Sequence, residues 1–263
     1  MICKKLPLFF CFCVVTVVSI AQVENGKNEI GVNAGAMFYQ GDMTPDMVGS
    51  YKTARPAVGI YYSRILSPYW SVRGNLGLSS LEGDDARNAK PAYMRRRNFN
   101  FHTPLAELTA MGVFNVFGNN IQPDVTKLSP YVFAGAGVAF VDIKRDWSRI
   151  DTNMIHTGST TRSGLIRDTT TVLPKAIPVL PVGLGIRYAI LPRISLAFEA
   201  NYRIIFTDYL DGFSYAANPV RKDAYYSVTA GAVYNFGGNG GGGTGLGGGR
   251  RHGKSQTGCP KVF

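Results

Sequence analysis

The stretch RISLAFEANYRII, residues 193–205, decides the fold class. From its second residue onward, every other side chain is apolar, and those between are mostly small or polar and include Glu199 and Arg203. This alternation has the period of a β-strand with one apolar face and one polar face. Residues 224–236, AYYSVTAGAVYNF, repeat the pattern. The sequence therefore predicts a sheet whose two faces differ in polarity.

Eight segments have this strand character, and each is long enough to cross a membrane at a tilt. They lie at 29–40, 56–66, 69–80, 99–117, 130–142, 178–190, 193–205 and 224–236. The chain has 15 Phe, 14 Tyr and 31 Gly, while only 17% of its residues are charged. These features favour an all-β fold, an eight-stranded antiparallel transmembrane β-barrel of the outer-membrane type. A soluble β-sandwich, which also alternates, is the alternative.

The connections also favour a barrel. Short links around 67–68 and 191–192 join the second strand to the third and the sixth to the seventh. The remaining links are long, at 41–55, 81–98, 143–177 and 206–223. Outer-membrane barrels alternate short periplasmic turns with long outer loops, so we expect both mature termini in the periplasm.

Two segments depart from this scheme. The link 118–129 is long for the side that carries the short turns. The fourth strand segment, 99–117, is too long for one plain strand, so we expect it either to extend above the membrane or to contain a bulge near Pro104.

The two ends of the chain differ from the barrel region, 29–236. Residues 1–21 have a basic start, an apolar run and small residues at the end, as in a secretory signal peptide, with an uncleaved anchor as the alternative. A short lead, 22–28, follows. Residues 237–263 form a Gly-rich linker and a basic end, predicted to be a disordered periplasmic tail. Export and barrel pattern together predict an integral outer-membrane protein.

Some charged residues have the parity of the barrel interior and are candidates for a lumen ion-pair network. They are Arg73, Glu107, Arg187, Glu199 and Arg203. Buried charges need partners, so the network is expected to hold the barrel together. The interior of an eight-stranded barrel is just filled by side chains, which argues against a solute path.

The formal net charge of +11 points to an anionic partner. Export argues against nucleic acid, so anionic lipid or an acidic protein is favoured. Guanidinium pairs with phosphate through two hydrogen bonds, which makes Arg95, Arg96 and Arg97 candidates for contact with lipopolysaccharide. A solvated loop with internal charge pairs is the alternative. In the tail, the candidates for partner contact are Arg250, Arg251, Lys254 and Cys259.

An enzyme site is a further possibility around His102, Thr103 and Glu107. A catalytic pair must lie within hydrogen-bond reach, but His102 and Glu107 differ in strand parity and therefore face opposite sides. The sequence contains no metal-ligand spacing and no cofactor motif. We therefore expect a protein that is not an enzyme.

Three motifs and the chain end carry a family resemblance. They are GAMFYQGDM (35–43), EGDD (82–85), RRRNFNFHTPLAELTAMGVFNVF (95–117) and GCPKVF (258–263). Together they resemble the PorG family of Bacteroidota. The resemblance implies an eight-stranded barrel of the type IX secretion system that links the outer membrane to the periplasmic ring of the PorK lipoprotein and PorN. The alternative is a small OmpX-like or OmpA-like surface barrel that acts through its outer loops in adhesion or envelope integrity.

Overall fold

The computed structural model describes residues 28–44, 49–87, 95, 98–120, 128–150, 160–191, 193–207, 209–213, 215 and 223–237. The strands are β1 (Asn28–Gln40), β2 (Arg55–Ile65), β3 (Trp70–Asp84), β4 (Asn100–Asn115), β5 (Leu128–Val141), β6 (Lys144–Arg145), β7 (Ala176–Leu191), β8 (Ile194–Ile205) and β9 (Ala224–Phe236). Among the described residues, short 3-10 helices lie at Tyr51–Thr53, Asp85–Arg87 and Trp147–Arg149, and an α-helix, α1, spans Thr160–Thr170.

Eight long strands close into a barrel. Their order is β3-β2-β1-β9-β8-β7-β5-β4, and a further pairing of β3 with β4 closes the ring. Every neighbouring pair is antiparallel. All eight predicted strands are confirmed, with ends shifted by a few residues. The short β6 pairs with the start of β4 outside the ring.

The barrel has two different ends. At the turn end, residues 66–69 join β2 to β3 and residues 192–193 join β7 to β8, and this is also where β1 begins and β9 ends. The long links leave from the opposite end, the loop end. No helix in the described part of the chain is long and apolar enough to span a membrane.

The β3–β4 hairpin rises beyond its neighbours at the loop end. Its register runs without a shift from Trp70 opposite Phe114 to Asp84 opposite Asn100. The pairing of β4 with β5 stops at Leu105. Of the two expectations for this segment, extension is therefore correct and the bulge near Pro104 is wrong. Because Pro104 lies above the last β5 pair, its missing N–H breaks no ladder bond with β5.

The outer face of the barrel is an apolar belt. Its exposed large side chains on the strands include Val32, Val58, Ile60, Val72, Leu76, Leu78, Leu108, Val132, Phe140, Val182, Leu184, Ile186, Leu196, Phe198, Ile204 and Val228. Aromatic side chains collect at its turn-end margin: Tyr62, Tyr69, Trp70, Tyr188, Tyr234 and Phe236. A continuous apolar face of this size is stable in contact with lipid, and aromatic girdles mark the membrane interface.

A buried apolar cluster, the loop cap, closes the loop end. It joins strand ends to the long links through Met37, Tyr39, Met43, Leu81, Phe99, Phe101, Leu165, Leu210 and Phe213. Phe99 stacks on Phe213 with ring centroids 4.5 Å apart, and Trp147 meets Phe213 edge-on at 5.5 Å. The described parts of the long links therefore fold over the mouth of the barrel.

Candidate functional site

The lumen contains three ion pairs at successive levels. Nearest the turn end, Arg187 of β7 faces Glu29 of β1. Arg187 Nη1 donates to Glu29 Oε1 at 2.5 Å, and Nη2 donates to Oε2 at 3.0 Å. This two-bond geometry fixes both side chains across the barrel.

The second pair lies in the middle of the lumen. Arg73 Nη1 donates to Glu199 Oε1 at 2.5 Å, and the Tyr131 hydroxyl donates to the same oxygen at 2.6 Å. The guanidinium of Arg73 also lies 4.1 Å from the centre of the Tyr61 ring. Arg73 is only 1% exposed, so its charge depends on these neighbours rather than on water.

The third pair lies toward the loop end. Arg203 Nη2 donates to Glu107 Oε2 at 3.0 Å, and the Tyr225 hydroxyl donates to Glu107 Oε1 at 2.6 Å. Arg203 Nη1 also donates to Ser227 Oγ at 2.5 Å. Each carboxylate of the second and third pairs is thus held by one arginine and one tyrosine.

The structure places all five predicted lumen residues inside the barrel, each in an ion pair. Sequence reasoning missed Glu29, the partner of Arg187. A signal was present, because the apolar Ile30 and Val32 alternate with the inward positions of β1. This alternation places Glu29 on the inward face. Its position as the first residue of the predicted strand concealed it.

Little space remains between these side chains. A polar cavity of about 30 Å³ lies beside the second and third pairs, bordered by Asn201 and Thr229. It has room for about one or two water molecules. Inward glycines admit the aromatic rings: a Cβ on Gly31 would overlap the Tyr61 ring, and one on Gly185 would overlap the Tyr131 ring. The lumen is a packed interior and not a channel.

A hydrogen-bonded asparagine cluster lies at the turn end after β4. Asn115 Nδ2 donates to the side-chain oxygens of Asn119 at 2.7 Å and Asn120 at 3.0 Å. Asn119 Nδ2 donates to Ser129 Oγ at 2.5 Å, and the Asn120 amide donates to the Pro68 carbonyl at 3.1 Å. The described part of the 118–129 link is therefore a fixed turn tied to the β2–β3 turn.

Buried carboxylates organise the loop cap. The Tyr39 hydroxyl lies 2.7 Å from a carboxylate oxygen of both Asp211 and Asp223. Asp211 also accepts from the Phe213 amide at 2.8 Å, and Asp223 accepts from the Leu210 amide at 3.1 Å. These bonds fix the β8–β9 link over the lumen.

Arg145 of β6 also stabilises the loop cap. Arg145 Nη1 donates to the carbonyls of Asp168 at 2.9 Å and Gly212 at 2.8 Å. Burial lowers the pKa of Arg145 from its ordinary value, while the nearby Asp168 acts in the opposite direction. Arg145 thus ties helix α1 to the β8–β9 link.

The residues considered for an enzyme site are not brought together. Glu107 lies in the lumen with Arg203, and Thr103 Oγ1 donates to the Leu210 carbonyl at 3.1 Å inside the cap. His102 lies on the outer face of the β3–β4 extension, above the apolar belt, where burial and the nearby cations Arg55 and Lys144 lower its pKa. The described residues contain no group of three or more potential ligands that could hold a metal ion.

The basic candidate sites are only partly described. Arg95 is exposed. The remaining predicted residues lie outside the described residues, as do the predicted signal peptide at 1–21 and the tail from 238 onward; they are Arg96, Arg97, Arg250, Arg251, Lys254 and Cys259.

A groove of about 710 Å³ crosses the outer face of the barrel between Trp70 and Tyr226. Small outward-facing residues of adjacent strands leave this depression: Gly112, Ala134 and Ala200. The groove belongs to the apolar belt, where lipid chains are the expected filling.

A closed eight-stranded antiparallel barrel with an apolar outer belt and a filled lumen is an integral membrane barrel of the outer-membrane type. Residues 7–240 match the family DUF6089, a domain of unknown function, and the chain belongs to this family. No curated protein matches the sequence.

Several solved structures are similar to this chain. The attachment invasion locus protein Ail of Yersinia pestis, solved with the heparin analogue sucrose octasulfate, is 14% identical, with 81% of this chain and 99% of Ail covered and a TM-score of 0.43. Neisserial surface protein A is 13% identical, with 80% and 97% covered and a TM-score of 0.46. The outer-membrane enzyme PagL is 14% identical, with 78% and 98% covered and a TM-score of 0.36.

Proposed function

We propose that this protein is a non-enzymatic outer-membrane barrel that anchors or helps assemble a periplasmic protein-secretion complex of the type IX kind. The observation that carries the proposal is the filled lumen, with three ion pairs at successive levels beneath the loop cap. A barrel without a path through it acts through its surfaces. The turn end faces the periplasm in this proposal, since short turns lie on that side of outer-membrane barrels.

The fixed turn end supports an anchoring role. The asparagine cluster holds the segment after β4 against the β2–β3 turn, and this leaves Leu66 and Phe117 exposed, by 64% and 56% respectively. Rigid apolar side chains at a membrane margin lose little entropy when a partner covers them. Strand β9 also ends at the turn end, so the tail with Arg250 and Cys259 follows from the same end of the barrel.

The resemblance to the PorG family supplies the kind of partner. In the proposal, the turn end of the barrel contacts periplasmic ring proteins that resemble PorK and PorN. The described parts of the motifs at 35–43, 82–85 and 95–117 meet in the loop cap, where Tyr39 lies against Phe101 with ring centroids 4.8 Å apart. The motifs therefore have a shared structural role, which supports common architecture across the whole barrel.

The alternative function is a small surface barrel in adhesion or envelope integrity. One observation favours it: the described parts of the long links pack together on one apolar core, rather than forming separate loops. An ordered cap is a suitable base for binding through exposed residues such as Val172, which is 91% exposed.

Site-specific photo-crosslinking in living cells separates the two functions. A photoreactive residue at Phe117 probes the turn end, and one at Val172 probes the loop end. The anchoring function predicts that position 117 captures a periplasmic protein whose loss also stops export, while position 172 does not. Capture of an external ligand at 172, with only lipid at 117, favours the surface barrel and contradicts the anchor.

A further inference from the structure

At the loop end, acidic and basic side chains differ in their exposure to solvent. The acidic side chains there are mostly buried: Asp42, Glu82, Asp84, Asp85, Asp168, Asp211 and Asp223. The basic side chains are mostly exposed: Lys52, Arg87, Arg95, Lys144, Arg162, Arg167 and Lys175. Among the described charged residues of this end, Asp142 is the one acid in the exposed class.

Most of the buried acids hold the chain, while Glu82 and Asp84 also pair with the surface cation Arg87. Asp85 Oδ2 accepts from the Phe99 amide at 3.2 Å, and Asp211 and Asp223 accept from cap amides and from Tyr39. These carboxylates are committed to the fold and shielded from solvent. Among the described residues, the outer surface of the loop end consequently carries more basic than acidic side chains, although Lys144 pairs with Asp142 at 3.2 Å.

Several of these cations lie directly above the apolar belt. Lys175 precedes Ala176, which pairs with Phe140 of the belt. Lys144 lies opposite His102, on the outer face of the β3–β4 extension. A charge at this height meets lipid head groups, because the belt below it marks the hydrocarbon region.

A third cation is held in place by the backbone. Lys52 Nζ donates to the Arg87 carbonyl at 3.1 Å, while Arg87 Nη1 donates to the Lys52 carbonyl at 3.3 Å. Arg87 also reaches Glu82 at 3.2 Å and Asp84 at 3.4 Å. The charge of Arg87 is thus partly neutralised, and the ammonium of Lys52 remains available to an anion.

We propose that Lys52, Lys144 and Lys175 form a rim of cations that binds the phosphate groups of phosphorylated glycolipid in the leaflet around the loop end. Charge complementarity carries the proposal, together with the position of Lys144 and Lys175 directly above the belt. The loop cap fixes the rim, so the barrel keeps a shell of phosphorylated lipid. This lipid site is independent of the secretion role, and it extends the phosphate contact expected at Arg95 to the strand ends.

The test compares lipids that differ only in phosphate. The full-length mature protein is placed in nanodiscs of phosphatidylcholine with bisphosphorylated lipid A or with lipid A from which both phosphates have been removed. Native mass spectrometry then counts the glycolipid retained. Each lysine near an anionic surface contributes about fivefold in affinity, so we expect Lys52→Gln, Lys144→Gln and Lys175→Gln together to weaken retention about a hundredfold.

Matched variants keep this test decisive. The triple Lys→Arg variant keeps the charge and should retain the lipid, and Arg193→Gln removes an exposed cation at the turn end and should change nothing. Heat-modifiable gel mobility verifies that every variant is folded. Equal retention of the two lipids by the wild type, or full release by millimolar inorganic phosphate, would overturn the proposal. Retention by the triple Gln variant at the wild-type level would do so as well.

Discussion

Replacing Glu199 with glutamine tests whether the lumen charges stabilise the barrel as pairs. Glu199 accepts from Arg73 at 2.5 Å and from Tyr131 at 2.6 Å, and Arg73 is fully buried. Glu199→Gln preserves the size of the side chain but leaves the guanidinium without its counter-charge. Removal of one partner from a buried pair costs about 3–5 kcal/mol.

Urea unfolding in detergent micelles measures this loss, with heat-modifiable gel mobility as the readout of the folded fraction. The double variant Arg73→Met with Glu199→Met removes both charges. We expect it to be more stable than Glu199→Gln, since no buried charge is left unpaired. Arg193→Gln, an exposed charge at the turn end, serves as the control and should lie within about 0.5 kcal/mol of the wild type.

Two results would refute this reasoning. One is a Glu199→Gln variant whose free energy of unfolding equals that of the Arg193→Gln control. The other is a double variant less stable than the single one, which would mean that packing and hydrogen bonds, rather than charge pairing, determine stability at this level of the lumen.

Three further predictions concern the strands, the cap and the tail. Gly135→Ala should lower stability by about 1–3 kcal/mol in urea unfolding, because its Cβ would meet the Ala110 carbonyl of β4, whereas Gly74→Ala, with open space around it, should not. Tyr39→Phe leaves two buried aspartates without their shared hydroxyl and should speed proteolysis of the loop end in micelles, while an unchanged digestion rate would count against the cap. Deletion of residues 238–263 should leave the heat-modifiable band intact while weakening export; loss of the band would place the tail in barrel assembly.

The barrel itself was predictable because its signal is local. Each strand carries its own alternation, so the inward parity of Arg73 and the outward parity of Val72 can be read within a few residues. The same rule correctly placed His102 and Glu107 on opposite faces. The extension of β3 and β4 was one of two alternatives, and only the observed register decides between them.

The loop cap was not predicted, because its contacts are distant in sequence. Phe99 stacks on Phe213 across more than a hundred residues, and Phe213 lies outside every predicted strand. Helix α1, with the sequence TTRSGLIRDTT, has only a weak apolar face and gave no helical signal. The division of buried acids and exposed bases likewise depends on which side chains the cap encloses.

The candidate sites were predictable to different extents. Inward charges could be identified by parity, but their partners could not, because pairing joins strands that are far apart in the chain. Arg187 with Glu29 is the example: the two residues lie 158 positions apart. The tail and Arg96 lie outside the described residues, so the contacts expected of them remain predictions.

Depletion of the protein from living cells tests the anchoring function most directly. The measurement is the amount of the periplasmic ring proteins in the outer-membrane fraction, together with the export of secreted cargo. The account predicts that the ring proteins leave this fraction and that export stops, and that both are restored by the wild-type protein. Ring proteins that remain with the outer membrane, with export at the wild-type rate, would contradict it.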